Sequence, residues 1–277
     1  MTGTTGPAQQ LPGLVGVGTG GRLWIEARGR GHPVLLLHSG LVDSRMWDPQ
    51  MDSLEAAGYR PIRFDLRGFG RSDRPEAPYS HVADAVAVLD ALEVDRAAIV
   101  GCSLGGALDL LLTVLHPERV SALVLAGSGL PGYRDWSPRM RAIWDEVDEV
   151  AKAGELDRAH ELDLSPWVDT LGEPSDDLIR SIARDNRHTL LIDEELEITP
   201  EEPVIVRLGD IAAPALVTVG GRDIPEMLAI ADLLAEGIPD ARGPVVMEGA
   251  DHLLPMRRPE KFDRALLEFL GEVLPKR

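Results

Sequence analysis

The stretch Arg96–Leu112, RAAIVGCSLGGALDLLL, constrains the fold of this chain more than any other. Arg96-Ala-Ala-Ile-Val100 is an apolar run of strand length, and Gly106-Ala-Leu-Asp-Leu-Leu-Leu112 continues as a helix. Between them lies Gly101-Cys-Ser-Leu-Gly105, a G-x-S-x-G at a strand-to-helix junction. A serine there sits on a sharp turn with its hydroxyl exposed. Glycines on either side let strand and helix approach closely, because neither carries a Cβ. The new helix also directs backbone N–H groups toward any anion forming beside the serine. Taken alone, the motif fits either a nucleophilic Ser103 or a plain tight turn.

The rest of the chain repeats this alternation. Pro33–Leu37, Arg60–Phe64, Val120–Ala126, Pro214–Val219 and Gly243–Met247 read as strands, most of them unbroken apolar runs. Such runs belong to inner strands covered on both faces. Helical patterns follow at Pro49–Ala57, at His81–Leu92 with Val82, Val86 and Leu89 on one face, after Asp223 to about Leu234, and at Pro259–Val273. The expected fold is α/β, a mostly parallel central sheet flanked by helices. Residues 133–210 break the rhythm. They contain helical patterns at 138–153 and 175–191 but no convincing buried strand, and they hold 9 basic and 21 acidic residues together with Trp136, Trp144 and Trp167. The organisation predicted is a flexible tail over 1–20, a core domain over 21–132 and 211–277, and a helical cap over 133–210. Gly16–Gly21 matches G-x-G-x-x-G, but Arg22–Arg28 after it alternates like a strand. A dinucleotide fingerprint must open a helix, so these glycines read as a turn.

Composition excludes several classes. The chain of 277 residues has 28 basic and 46 acidic residues, a net charge of −18. That balance disfavours nucleic acid and anionic membrane surfaces as partners. A single cysteine, Cys102, rules out an internal disulfide and a cysteine-based zinc site. No apolar run approaches the roughly 18 residues of a membrane span. The N-terminus lacks a charged region followed by an apolar one, so a cytoplasmic location is expected. The oligomeric state is not legible.

A serine hydroxyl needs a positioned base to take its proton, and that base needs a carboxylate to fix its tautomer. Asp223 follows one expected strand and His252 the next, and in a parallel sheet such positions gather at one edge. The chain order is Ser…Asp…His. His32, His81, His116, His160 and His188 lie in turns or on helices, while His38 ends a strand ahead of the serine. Asp251, beside the histidine, is the alternative acid, though it would need an awkward bend.

Together with His38-Ser-Gly40, Asp65-Leu-Arg-Gly-Phe-Gly-Arg-Ser-Asp73, Gly221-Arg-Asp223 and Gly249-Ala-Asp-His252, these features resemble the α/β-hydrolase fold family over essentially the whole chain after about Gly20. The resemblance implies that Ser103 is the nucleophile, Asp223 the acid and His252 the base, with a cap inserted after Ala126. It implies backbone N–H donors at Gly40 and Leu104 for an oxyanion hole, although Ser39 stands where the family usually has glycine. It implies neither a cofactor nor a metal. His38, Ser39, Trp136, Trp144 and Trp167 are the expected substrate contacts. A serine at the elbow argues against haloalkane dehalogenases and epoxide hydrolases, which carry aspartate there. The activity expected is hydrolysis of a small carboxylic ester or lactone through an acyl-enzyme. Carbon–carbon hydrolysis of a diketone, cofactor-free perhydrolysis and a receptor-like protein with little turnover are the alternatives. The other residues read as structural: Cys102 as a buried space-filler, Asp65 and Arg67 as loop braces, Trp47 as core. His38 either orients the oxyanion loop or is a satisfied polar residue.

Overall fold

In the computed structural model, which describes residues 11–199 and 203–274, eight strands form one sheet in the order β1-β2-β4-β3-β5-β6-β7-β8. The strands are β1 (Gly13–Gly16), β2 (Arg22–Ala27), β3 (Pro33–Leu37), β4 (Arg60–Phe64), β5 (Ala97–Cys102), β6 (Val120–Ala126), β7 (Ala215–Gly220) and β8 (Ala241–Met247). From β4 to β8 every neighbouring pair is parallel, while β1 and β2 add an antiparallel edge.

The alternation of side chains sorts the inner strands onto two faces. Leu35, Leu37, Ile99, Leu123, Leu125, Val217 and Val219 point to one core, where they meet Val82 and Val88 of α2 (His81–Ala91), Leu108 and Leu112 of α3 (Leu104–Leu115) and Ile230 and Leu234 of a later helix. Val34, Leu36, Ala98, Val100, Ala122, Val124 and Leu216 point to the other, against Met51 and Leu54 of α1 (Asp48–Ala56) and a C-terminal helix carrying Phe262, Leu266 and Phe269. Trp47 lies in this second core beside Phe262, wholly buried. The sheet is thus covered on both sides by the apolar stripes that the sequence pattern shows.

Between β6 and β7 the chain leaves the sheet for α4 (Pro138–Lys152), α5 (Leu156–Leu164), α6 (Pro174–Asn186) and several 3₁₀ turns, and returns at Ala215. After β7 come α7 (Pro225–Gly237), β8, the short α8 (Leu254–Arg257) and α9 (Pro259–Val273). Among the described residues no helix is long and apolar enough to cross a membrane.

Two expectations need correction. Residues 13–20 are not part of a tail: β1 pairs with β2 from Gly13↔Ile25 to Gly16↔Arg22, and the glycines between them form the hairpin turn. Residues 1–10 lie outside the described residues. The pattern at 175–191 is also not one helix, since α6 ends at Asn186 and Arg187–Leu191 tightens into a 3₁₀ segment.

Candidate active site

The turn after β5 is as sharp as the motif requires. Ser103 has φ 54° and ψ −113°, and only one other non-glycine among the described residues, Glu93, has a positive φ. An L-residue is strained there and persists only where its surroundings hold it. The strand and helix do so: Ser103 N–H donates to Ala126 O at 3.1 Å, and Ser103 O accepts from Ala107 and Gly129 N–H, each at 3.0 Å. The glycines are sterically required. A Cβ on Gly105 would press into the Leu37 carbonyl and lie 2.8 Å from His38 O, and one on Gly101 would run into the Gly105 backbone.

Asp223 and His252 come to the same edge from β7 and β8. The His252 imidazole is buried, with Nδ1 2.8 Å from Asp223 Oδ2. An ionised carboxylate only accepts, so Nδ1 is the donor, and in the neutral ring Nε2 keeps its lone pair. Asp223 is itself held, its Oδ1 accepting Ile224 N–H at 2.9 Å. Both groups stand over the ends of β5 and β6. A Cβ on Gly127 would lie 3.4 Å from His252 Nδ1 and 3.4 Å from Asp223 Oδ2, and Cys102 Sγ is 3.8 Å from His252 O. Ser103 Oγ does not cap its own helix, and no hydrogen bond to His252 closes in this structure. Such bonds tighten when a substrate is in place.

Asp251 points elsewhere. Its Oδ2 accepts from Arg257 Nε at 2.8 Å and from Asp169 N–H at 3.0 Å. The carboxylate facing the imidazole is therefore that of Asp223.

Gly40 and Leu104 face each other. A Cβ on Gly40 would be 3.4 Å from Leu104 Cδ2 and 3.6 Å from Leu104 Cβ. The loop bearing Gly40 is fastened by His38, whose Nδ1 donates to Ser39 O at 2.8 Å while Nε2 accepts Leu66 N–H at 2.9 Å. Burial pushes the His38 imidazole below its usual range, in keeping with a neutral ring. His38 and Ser39 are wholly buried. Ser39 Oγ accepts Leu41 N–H at 3.3 Å, and Ser39 N–H is directed at Met46 Sδ. Neither presents a surface to a substrate; they shape the loop instead.

Asp65 and Arg67 also brace loops. Asp65 accepts N–H bonds from Ser44 and Arg71 and pairs with the Arg71 guanidinium, while Arg67 forms a two-pronged pair with buried Asp84. Cys102 is buried, and burial pushes its thiol well above the ordinary range, so it is inert packing.

Of the three tryptophans in the insertion, Trp167 touches the imidazole. The Trp167 ring lies 4.6 Å from that of His252, and Trp167 O accepts His252 N–H at 3.3 Å. Trp136 and Trp144 stack edge to face at 5.0 Å, with Tyr133 against Trp136 at 5.3 Å. They gather around the start of α4, where Tyr133 and Trp136, like Trp167, lie against the core on the α2–α3 side of the sheet.

Sequence reasoning overlooked Asn186 and Arg257. Asn186 Nδ2 donates to Asp43 Oδ2 at 2.9 Å and its Oδ1 accepts Gly70 N–H at 2.7 Å, tying α6 to the two loops beside Gly40. Arg257 joins the His252 loop to the insertion. No local pattern marks either residue, because the partners that tie each to another element, Asp43 and Gly70 for Asn186 and Asp169, Ser175 and Asp176 for Arg257, are far away in sequence.

A mostly parallel sheet carries a strained serine at a strand-to-helix elbow and a histidine–aspartate pair at the same edge, and the chain belongs to the alpha/beta hydrolase fold family. Residues 32–159 match that family's model, described as alpha/beta hydrolase fold. The Azorhizobium caulinodans protein named "Putative carbamate hydrolase RutD" is 31% identical over 263 residues, covering 91% of this chain and 96% of that one. A 2-hydroxy-6-oxo-2,4-heptadienoate hydrolase of Pseudomonas putida is 32% identical over 234 residues, 70% of this chain and 82% of that one. A solved hydrolase structure from Pseudomonas aeruginosa superposes with a TM-score of 0.79 at 28% identity, covering 94% of this chain and 98% of that one. The chain is a hydrolase of this fold.

Proposed function

We propose that the protein hydrolyses a small-molecule carboxylic ester or lactone through an acyl-enzyme on Ser103. The observation that carries this reading is the strained Ser103 at φ 54° on the sheet edge where His252 Nδ1 meets Asp223 Oδ2. In the first half-reaction Ser103 Oγ attacks the carbonyl carbon as His252 Nε2 takes its proton. The resulting imidazolium is stabilised by Asp223 and then protonates the departing alkoxide. In the second half, His252 takes a proton from water, the hydroxide attacks the acyl carbon, and the carboxylic acid leaves as Ser103 is reprotonated. The oxyanion rests on the N–H groups of Gly40 and Leu104, each lowering the barrier by roughly 3 kcal/mol. The helices between β6 and β7 act as the cap, with Trp167 over His252.

One comparison favours a second reading. The Pseudomonas putida relative is named a 2-hydroxy-6-oxo-2,4-heptadienoate hydrolase, and the same three side chains can serve carbon–carbon hydrolysis of a diketone-type substrate. A panel of p-nitrophenyl esters, enol-lactones, a carbamate ester and a vinylogous diketone separates the two. Multiple-turnover release from esters or lactones, lost by at least about 10³-fold in Ser103→Ala, is the expected result. Turnover confined to the diketone would transfer the assignment to the second reading, and wild-type rates in Ser103→Ala would remove both.

A further inference from the structure

The loop that carries His252 is fastened to the helical insertion through one buried guanidinium. The Arg257 side chain is wholly buried. Its Nε donates to Asp251 Oδ2 at 2.8 Å, and one terminal nitrogen donates to Asp169 O at 2.6 Å. The other donates to Ser175 Oγ at 2.9 Å and to Asp176 Oδ1. Asp176 in turn gathers the N–H groups of Leu171 and Gly172 at 2.9 and 2.8 Å, which holds the chain entering α6.

Asp251 sits at the other end of this link and brackets the histidine. Its Oδ1 accepts Leu253 N–H at 3.2 Å, and its Oδ2 accepts Asp169 N–H at 3.0 Å. His252, between them, donates its own N–H to Trp167 O. The backbone on both sides of the imidazole is therefore set by a carboxylate whose orientation Arg257 fixes. Removing the guanidinium would strand two carboxylates in a buried place, where each must take up a proton or turn toward water. Either response releases the pins on His252.

We propose that Arg257 is a positioning residue, transmitting the seating of segment 169–176 to the imidazole of His252 through Asp251. This rests on the reading of His252 as the base. Lysine cannot replace arginine here, since one ammonium cannot span Asp251, Asp169 O and the Ser175–Asp176 pair together. Arg258 supplies an internal control. It also grips the insertion, pairing with Glu173 at 2.8 and 3.0 Å, but it donates no hydrogen bond to Asp251.

The test compares Arg257→Lys, Asp251→Asn, the double variant and Arg258→Met in the full chain. The readouts are thermal unfolding, steady-state hydrolysis of p-nitrophenyl acetate and the downfield proton resonance of His252 Nδ1–H. In Arg257→Lys, unfolding should stay cooperative, kcat should fall ~10–100-fold with KM for this small ester within about threefold, and the resonance should move or broaden. Asp251→Asn should show the same defect, and the double variant no larger one, because both break one link. Arg258→Met should keep kcat within about twofold. Should Arg257→Lys not fold, Asp251→Asn carries the test alone. An unchanged kcat and resonance in a folded Arg257→Lys or Asp251→Asn would overturn the proposal. So would an equal loss of kcat in Arg258→Met, which would trace the effect to attachment of the insertion in general. If the wild type turns over no ester while the resonance still moves in Arg257→Lys, the reading of the reaction falls and the link stands.

Discussion

The indole of Trp167 covers the imidazole of His252, their centroids 4.6 Å apart and their planes inclined by 38°. The contact joins the turn after α5 to the loop after β8, so the insertion supplies one wall of the base's surroundings. That wall keeps water from one face of the ring. Trp167→Ala should lower kcat/KM for a short-chain ester by about tenfold, and Trp167→Phe should restore most of it. Steady-state kinetics on the two variants checks this.

Gly105 is where the helix after the nucleophile crosses β3. A methyl there meets the Leu37 carbonyl and His38 O, both backbone and therefore unable to turn aside. Gly105→Ala should cost about 2 kcal/mol or more as strand and helix are pushed apart. It should also shift the elbow enough to reduce turnover in the protein that still folds. Denaturant unfolding followed by activity at low temperature reads both effects.

Asp109 is buried in α3 with neither carboxyl oxygen hydrogen-bonded, and burial holds its carboxyl well above the usual carboxylate range. A group whose folded-state affinity for protons is raised destabilises the fold progressively as pH rises above the unfolded value. Asp109→Ala should therefore stabilise the protein at pH 8 by about 1–3 kcal/mol, and by less at pH 4. A lowered Tm at pH 8 would contradict it.

Asp163 and His81 give opposite slopes of stability with pH. Burial raises the Asp163 carboxyl to about 6, so stability is lost as pH rises from about 4 through 6. Burial lowers the His81 imidazole to about 4, so stability is lost as pH falls from about 6.5 through 4. Each window spans about 2 units, or roughly 3 kcal/mol. Relative to wild type, Asp163→Asn should show no gain at pH 4 and a growing gain up to pH 7. His81→Phe should show its gain at pH 4 and lose it by pH 7. Chemical denaturation across this range tests both signs.

The insertion carries 21 of the 46 acidic residues. At low salt it should disfavour dianionic substrates, so a neutral ester should exceed its matched dicarboxylate in kcat/KM, with the ratio shrinking as salt screens the field. A ratio independent of salt would dismiss the charge as a selectivity element.

What the amino-acid order determined unaided was most of what is local or periodic. Runs such as Pro33–Leu37 and Val120–Ala126 are apolar at every position because both faces of an inner strand are covered, and the structure places strands over those same residues. Gly101 and Gly105 announced a close crossing because no other residue fits one. Asp223 and His252 stood out by their places just past strand ends, a position that follows from topology, and the structure pairs the two side chains.

Tertiary structure alone decided the relationships between distant side chains. Gly13–Gly16 carries too short and too glycine-rich a signal to read as a strand, and it becomes one by pairing with β2. His38 and Ser39 look like site residues because they are polar at a strand end, yet Leu66 N–H and their own loop take their hydrogen bonds. Arg257 is one of two adjacent arginines in the sequence. Which of them turns inward depends on Asp251, Asp169 and Asp176 arriving from elsewhere, since a buried charge is tolerated only where partners converge on it. Spacing along a chain can show that a partner is needed; only folding in three dimensions selects which one is met.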